Sequence, residues 1–100
     1  MGRYKLTNKA VEDLTQIWNY TFVKWSENQA DKYYLMLLEN CNEVVLNPKA
    51  GKKYSVVAED LLGFKVGRHI IFYRKLTENM VEITRILHQQ MDLKKRVTKK

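Results

Sequence analysis

Two long helical patterns meet in this sequence with almost no chain between them, and that junction constrains the fold more than any other feature. In the first, Thr7 or Asn8 caps a helix that runs to about Trp25. Val11, Leu14, Trp18, Phe22 and Trp25 recur along it at spacings of three and four, with Ile17 widening the stripe. Lys9, Glu12, Asp13, Gln16, Asn19 and Lys24 fill the remaining surface. The second pattern opens on Ser26-Glu27-Asn28-Gln29, a capping box in which the Ser26 hydroxyl accepts from the Gln29 amide and the Gln29 side chain reaches back. Its stripe is Ala30, Tyr33, Leu37, Cys41, Val44 and Val45. Pro48 ends it, because the ring clashes with a continuing turn and pushes Asn47 out of helical geometry. Helices of about five turns joined this tightly must reverse into an antiparallel hairpin.

The flanking segments change period. Arg3-Tyr4-Lys5-Leu6-Thr7 alternates, with Tyr4 and Leu6 on one side, which predicts a short strand with one wet face. Pro48, Gly51 and Lys52-Lys53 predict a loop, and Tyr54-Ser55-Val56-Val57 a brief extended piece. From about Leu62 the pattern is strand-like over 62–67, 68–76 and 80–88, with Thr77-Glu78-Asn79 as a hairpin loop and a short helix after Gln89. The expected class is α+β: an N-terminal strand, an antiparallel helical hairpin, then a three-strand antiparallel meander completing one small sheet. On the 68–74 strand, alternation puts Arg68, Ile70, Phe72 and Arg74 on one side and His69, Ile71 and Tyr73 on the other. Both sides are apolar, yet two helices cover only one face. The second face is therefore expected to carry an apolar patch ringed by cations. Either a partner covers it, or the C-terminal segment does so through Leu87, Met91, Leu93 and Val97.

The formal net charge of +7 is unevenly placed. Residues 94–100 hold five of the eighteen basic side chains and no acid, leaving thirteen basic against eleven acidic groups in residues 1–93. The sequence divides accordingly into a domain over 1–93 and a basic tail over 94–100. The tail is a solvated end, or it engages an acidic partner or nucleic acid. One cysteine, Cys41, allows no internal disulfide and fits a reducing cytosol. No apolar run reaches the ~18–20 residues that span a bilayer, and the first residues lack a signal-peptide core, so a soluble cytoplasmic protein is expected.

Several motifs taken in order resemble the ParE branch of the RelE/ParE toxin superfamily. On the first helix they are Leu6-Thr7, Ala10, Asp13-Leu14, Ile17-Trp18 and Tyr20; Trp25, Gln29-Ala30 and Tyr33 follow, then Pro48 and Gly51-Lys52. The most specific run is Gly67-Arg68-His69 through Tyr73-Arg74, followed by Arg85-Ile86-Leu87-His88 and Met91-Asp92. The similarity covers nearly everything except the basic end. It departs at 53–63, where Glu59-Asp60-Leu61-Leu62-Gly63 replaces a shorter, more basic approach to the next strand. The resemblance implies a type II toxin that inhibits DNA gyrase by protein–protein binding. It also implies a cognate ParD-like antitoxin whose tail wraps over the helical hairpin and sheet. The two would form a hetero-oligomer that reaches operator DNA only through the antitoxin. The residues expected at the target are Arg68, His69, Tyr73, Arg74, Arg85, His88, Met91 and Asp92. Those expected at the antitoxin are Trp18, Phe22, Ile71 and Tyr73.

The competing chemistry is that of a RelE-like, ribosome-dependent mRNA interferase. Cutting RNA needs a base for the 2′-hydroxyl proton, a cation on the scissile phosphate and an acid for the leaving oxygen. Arg68, Arg74 or Arg85 offers the cation, and His69, His88 or Tyr73 the acid or base. The dense Lys/Arg set and closing Tyr that resemble RelE are absent, since His88 is followed by Gln89. Plainer roles exist for the same residues. Trp18 and Trp25 suit a core, His88 a strand-end hydrogen bond, and Arg68 or Arg85 a surface bridge to Glu82 or Asp92. Asp92 suits a helix cap, Met91 a core plug and Cys41 a small buried hydrophobe. A third reading is a nucleic-acid module driven by the tail. No phosphate loop, carboxylate pair or metal cluster is present in the sequence, and no cofactor is expected.

Overall fold

In the computed structural model, which describes residues 3–54 and 58–89, the hairpin lies across one face of a mixed five-stranded sheet. Helix α1 spans Asn8–Lys24 and α2 spans Glu27–Leu46. Thr7 Oγ1 accepts from the Ala10 amide at 3.1 Å, and Ser26 Oγ from the Gln29 amide at 3.1 Å. Each cap satisfies a helix-end donor that has no intrahelical partner. Trp25 and Ser26 are thus the whole connection. Pro48 begins a single 3₁₀ turn over Pro48–Ala50 rather than a further turn of α2.

The strands are β1 (Arg3–Leu6), β2 (Lys52–Lys53), β3 (Leu62–Val66), β4 (His69–Thr77) and β5 (Met80–His88). They are ordered β1-β5-β4-β3-β2. The β3–β4–β5 meander is antiparallel, and β1 joins β5 in parallel. Lys52-Lys53, expected as loop, pairs antiparallel with Leu62 and Gly63 as a two-residue edge strand. The extended piece expected just after it falls, at 55–57, outside the described residues. So do the helix expected after Gln89 and the basic tail.

Alternation sorts the sheet side chains onto two faces. Facing the helices, Val66, Ile71, Tyr73, Val81, Ile83 and Ile86 pack against Ala10, Leu14 and Ile17 of α1 and Leu37, Cys41 and Val44 of α2. The stripe on α1 corrects the sequence reading. Burial follows Ala10, Asp13, Leu14 and Ile17, while Phe22 and Trp25 are 46% and 71% exposed and Val11 is exposed as well. Trp18 is half-buried, stacked on Phe22 with ring centroids 5.2 Å apart, and donates from Nε1 to Asp31 Oδ1 at 2.9 Å. Two overlapping sets of residues on this helix recur at helical spacing, and a polar contact through Asp13 selects between them.

The far face is also corrected. Ile70, Phe72 and Leu87 form its apolar centre, and Tyr54, Ala58 and Leu61 from the β2–β3 connection close it. Phe72 is 0% exposed and meets Tyr54 edge-on at 5.1 Å. Leu87 belongs to the covered patch rather than to a cover, and Met91, Leu93 and Val97 lie outside the described residues.

Candidate functional site

Gly67 and Arg68 are the two residues between Val66 and its cross-strand partner His69, so the β3–β4 hairpin closes in a tight turn. Gly67 sits at φ 58°, in the left-handed region that costs a side-chain-bearing residue about 1–2 kcal/mol. A Cβ there would also come within 2.9 Å of the Tyr33 hydroxyl. That hydroxyl braces the turn from α2, accepting from the Arg68 amide at 3.2 Å and meeting His69 Nδ1 at 2.6 Å. Arg68 is left exposed at the tip.

His69 faces His88 across β4 and β5, with ring centroids 5.4 Å apart and planes at 81°. Burial lowers the His69 pKa from the ordinary 6.5 to about 4; His88 lowers it further in the same direction, while Asp13 opposes. His69 is therefore neutral near pH 7. Because the Tyr33 oxygen already accepts from Arg68, its proton is assigned to Nδ1, which places the ring proton on Nε2. A depressed histidine pKa means that the unfolded chain binds more protons than the fold between these two values. The associated stability is complete above pH 6.5 and is lost as pH falls toward 4. Partial solvent screening of the ring holds this loss to about 1–2 kcal/mol. Urea titrations from pH 7 to pH 4 should show a shallower decline for His69→Gln than for the parent chain. Parallel declines would remove His69 as the source.

The second cluster joins α1 to β5. Strand β1 ends at Leu6 opposite Ile83, so the outer edge of β5 continues beyond it without a neighbouring strand. Thr7 fills the first gap, donating from Oγ1 to the Thr84 carbonyl at 2.7 Å. Asp13 fills the next. Its Oδ2 accepts from the buried Ile86 amide at 3.0 Å and from Arg85 Nε at 2.8 Å, and its Oδ1 accepts from Arg85 NH2 at 2.9 Å. This two-pronged, charge-assisted arrangement holds Arg85 geometrically and raises its pKa. The register is irregular at this point, where β5 shifts by one residue opposite Phe72 and Tyr73.

Residues 4–93 match the family described as "ParE toxin of type II toxin-antitoxin system, parDE". The chain belongs to the ParE toxin family. Over 92 residues it is 30% identical to Toxin ParE1 of Mycobacterium tuberculosis (strain CDC 1551 / Oshkosh), covering 92% of this chain and 94% of that one. Identity to Toxin ParE1 of Caulobacter vibrioides is 32% over the same shares. The fold also matches a chain of the chromosomal ParDE TA system from P. aeruginosa with a TM-score of 0.74 at 22% identity, covering 88% of this chain and 96% of that one.

Against this ParE framework the expected site residues separate. Tyr73 is 0% exposed; its hydroxyl donates to the Pro48 carbonyl at 2.6 Å, and burial raises its pKa although the Gly51 amide acts in the other direction. Ile71 is equally buried. Both are core, and neither offers surface to a target or an antitoxin. Arg85 is bound to Asp13, on α1, a partner that the sequence reading did not name, and the Asp92 that it did name lies outside the described residues. Arg68 is exposed, His69 and His88 are half-buried neighbours, and Arg74 is half-buried with its Nε enclosed and without a hydrogen-bond partner among the described residues. Met91 and Asp92 lie outside those residues. Trp18 and Phe22 present a stacked pair on the hairpin. Cys41 is buried, with its thiol pushed up to about 12. Among the described residues no three His, Cys, Asp or Glu side chains are placed to hold a metal, and no helix is long and apolar enough to cross a membrane. Sequence reasoning missed the two organising groups, Asp13 and Tyr33. The signal for Asp13 was its place between Ala10 and Ile17 at helical spacing.

Proposed function

We propose that this ParE-family chain acts in the cytoplasm by binding DNA gyrase and trapping it on cleaved DNA, and that a cognate ParD-like antitoxin neutralises it. The observation that carries the reading is how the fold uses the groups an RNA-cutting site would need. Arg85 is paired with Asp13, Tyr73 is buried on Pro48, and neutral His69 is tied to Tyr33. A general acid, a base and a phosphate-holding cation must instead converge on a substrate. The cation proposed for target recognition is Arg68, exposed on its braced turn. For the antitoxin, the stack of half-buried Trp18 on exposed Phe22, with Val11 and Leu35 also exposed on the hairpin, offers apolar anchors of the kind that dominate protein interfaces. The pair would reach operator DNA through the antitoxin.

The reading is tested with purified protein, gyrase, ATP and relaxed plasmid. Dose-dependent loss of supercoiling with accumulation of cleaved DNA is the expected result. Arg68→Glu should weaken inhibition by about tenfold, the equivalent of about 1.4 kcal/mol, with an unchanged thermal melt. Full potency in that variant would remove Arg68 from the target surface.

A further inference from the structure

The sheet face turned away from the helices carries a surface that the gyrase reading does not use. Cross-strand register aligns Lys5, Glu82 and Arg74 in one row, Lys52, Gly63 and Phe72 in a second, and Lys65 with Ile70 in a third. Arg3 shares the face of Lys5 by alternation. The apolar centre of this face is closed, with Phe72 at 0% and Ile70 at 6% exposure beneath Tyr54, Ala58 and Leu61. What stays open is charge: Arg3, Lys5, Lys52 and Lys65 are exposed, and Arg74 is half-buried beside them. Glu82 and the turn at Glu59 and Asp60 supply acidic groups on this side. Among the described residues, however, the salt bridge is Asp13–Arg85, so these lysines are not neutralised by a carboxylate in contact.

We propose that this face binds the phosphate backbone of duplex DNA. A protein partner would require apolar anchors at the centre of the patch, and those are sealed by the β2–β3 connection. A single strand of RNA or DNA would require exposed rings on which bases stack. The rings on this side, Phe72 and Tyr54, are instead packed edge-on against each other at 79°. Cations presented on aliphatic stems over a closed surface suit sequence-independent phosphate contact. At a strand spacing of about 4.8 Å the face extends about 19 Å from β1 to β2, enough to meet several phosphates. Holding the toxin on DNA that gyrase has engaged is the role this contact would serve, and only that role rests on the gyrase reading.

The test is fluorescence anisotropy of a labelled duplex of about 20 bp with the full chain, between about 50 and 200 mM salt. Affinity should fall steeply with salt. The triple variant Lys5→Gln/Lys52→Gln/Lys65→Gln should bind about tenfold or more weakly, with a slope shallower by about 0.9 for each charge removed and an unchanged melt. The proposal is overturned by no salt-dependent binding, by a triple variant that binds as the parent does, by tighter binding of the single strand, or by displacement of the duplex by polyglutamate at equal charge. A matched Lys94→Gln/Lys95→Gln/Arg96→Gln variant must retain the face-dependent loss; if the tail accounts for all of it, the proposal fails. Supercoiling is measured separately, so either reading can fail while the other stands.

Discussion

Asp13→Ala is expected to cost about 3–5 kcal/mol, the penalty for breaking a buried ion pair from one side. Asp13 is 7% exposed, and its carboxylate receives the Ile86 amide as well as both prongs of the Arg85 guanidinium. Alanine strands a partly buried cation and a buried amide together, and each unpaired group carries its desolvation cost. A small domain has only about 5–15 kcal/mol to lose, so the variant should be marginal or unfolded near 37 °C. Asp13→Asn keeps an acceptor for the Ile86 amide and should fall between parent and alanine. Asp13→Ala/Arg85→Met should recover part of the loss, because an apolar replacement of the whole pair leaves no orphaned charge. Urea titrations read all three. A loss below about 1 kcal/mol for Asp13→Ala would mean the pair is solvated and of little weight. The same contact makes charge reversal at Arg85 a poor probe of target binding, since it would disturb the fold first.

Phe72→Ala should cost about 3–5 kcal/mol as well, by a different route. Its ring fills the space between β4 and the β2–β3 connection, against Tyr54, Leu61 and Ile70. Gly63 lies under the same lid: a Cβ there would come within 2.5 Å of the Tyr54 ring. Truncation leaves a cavity that the short β2 edge has little means to collapse around. An open, partner-facing sheet would predict almost no loss from the same substitution. Equilibrium unfolding distinguishes the two, and a cost under about 1 kcal/mol would show that the face is not closed in solution.

Local chemistry carried most of the architecture. The Ser26 box and Pro48 set both ends of α2, Thr7 set the start of α1, and the alternation after Leu62 placed β3, β4 and β5 to within about a residue. Local chemistry failed where a contact spans the chain. Asp13 and Ile86 are 73 residues apart, and only its place between Ala10 and Ile17 at helical spacing sets Asp13 apart from the exposed Glu12 beside it. Once Asp13 faces β5, α1 must turn Ala10, Leu14 and Ile17 inward, leaving Val11, Phe22 and Trp25 outside. Alternation correctly grouped His69 with Ile71 and Tyr73, but it does not say which face the helices take; that choice buries two residues expected at interfaces. Lys52-Lys53 has no strand signature of its own, and its pairing with Leu62 and Gly63 adds an edge strand where a loop was expected. The family signal survived these errors because it lay in the order and spacing of many short motifs.

One paired titration separates the proposed gyrase binding from RNA cleavage. The same purified preparation is titrated into gyrase with relaxed plasmid and into translating ribosomes with a defined message. Gyrase poisoning predicts dose-dependent loss of supercoiling and trapped cleaved DNA in the first reaction, with intact message in the second at the same concentrations. Cleaved message alongside unaffected gyrase would contradict it and would make the chain an mRNA interferase.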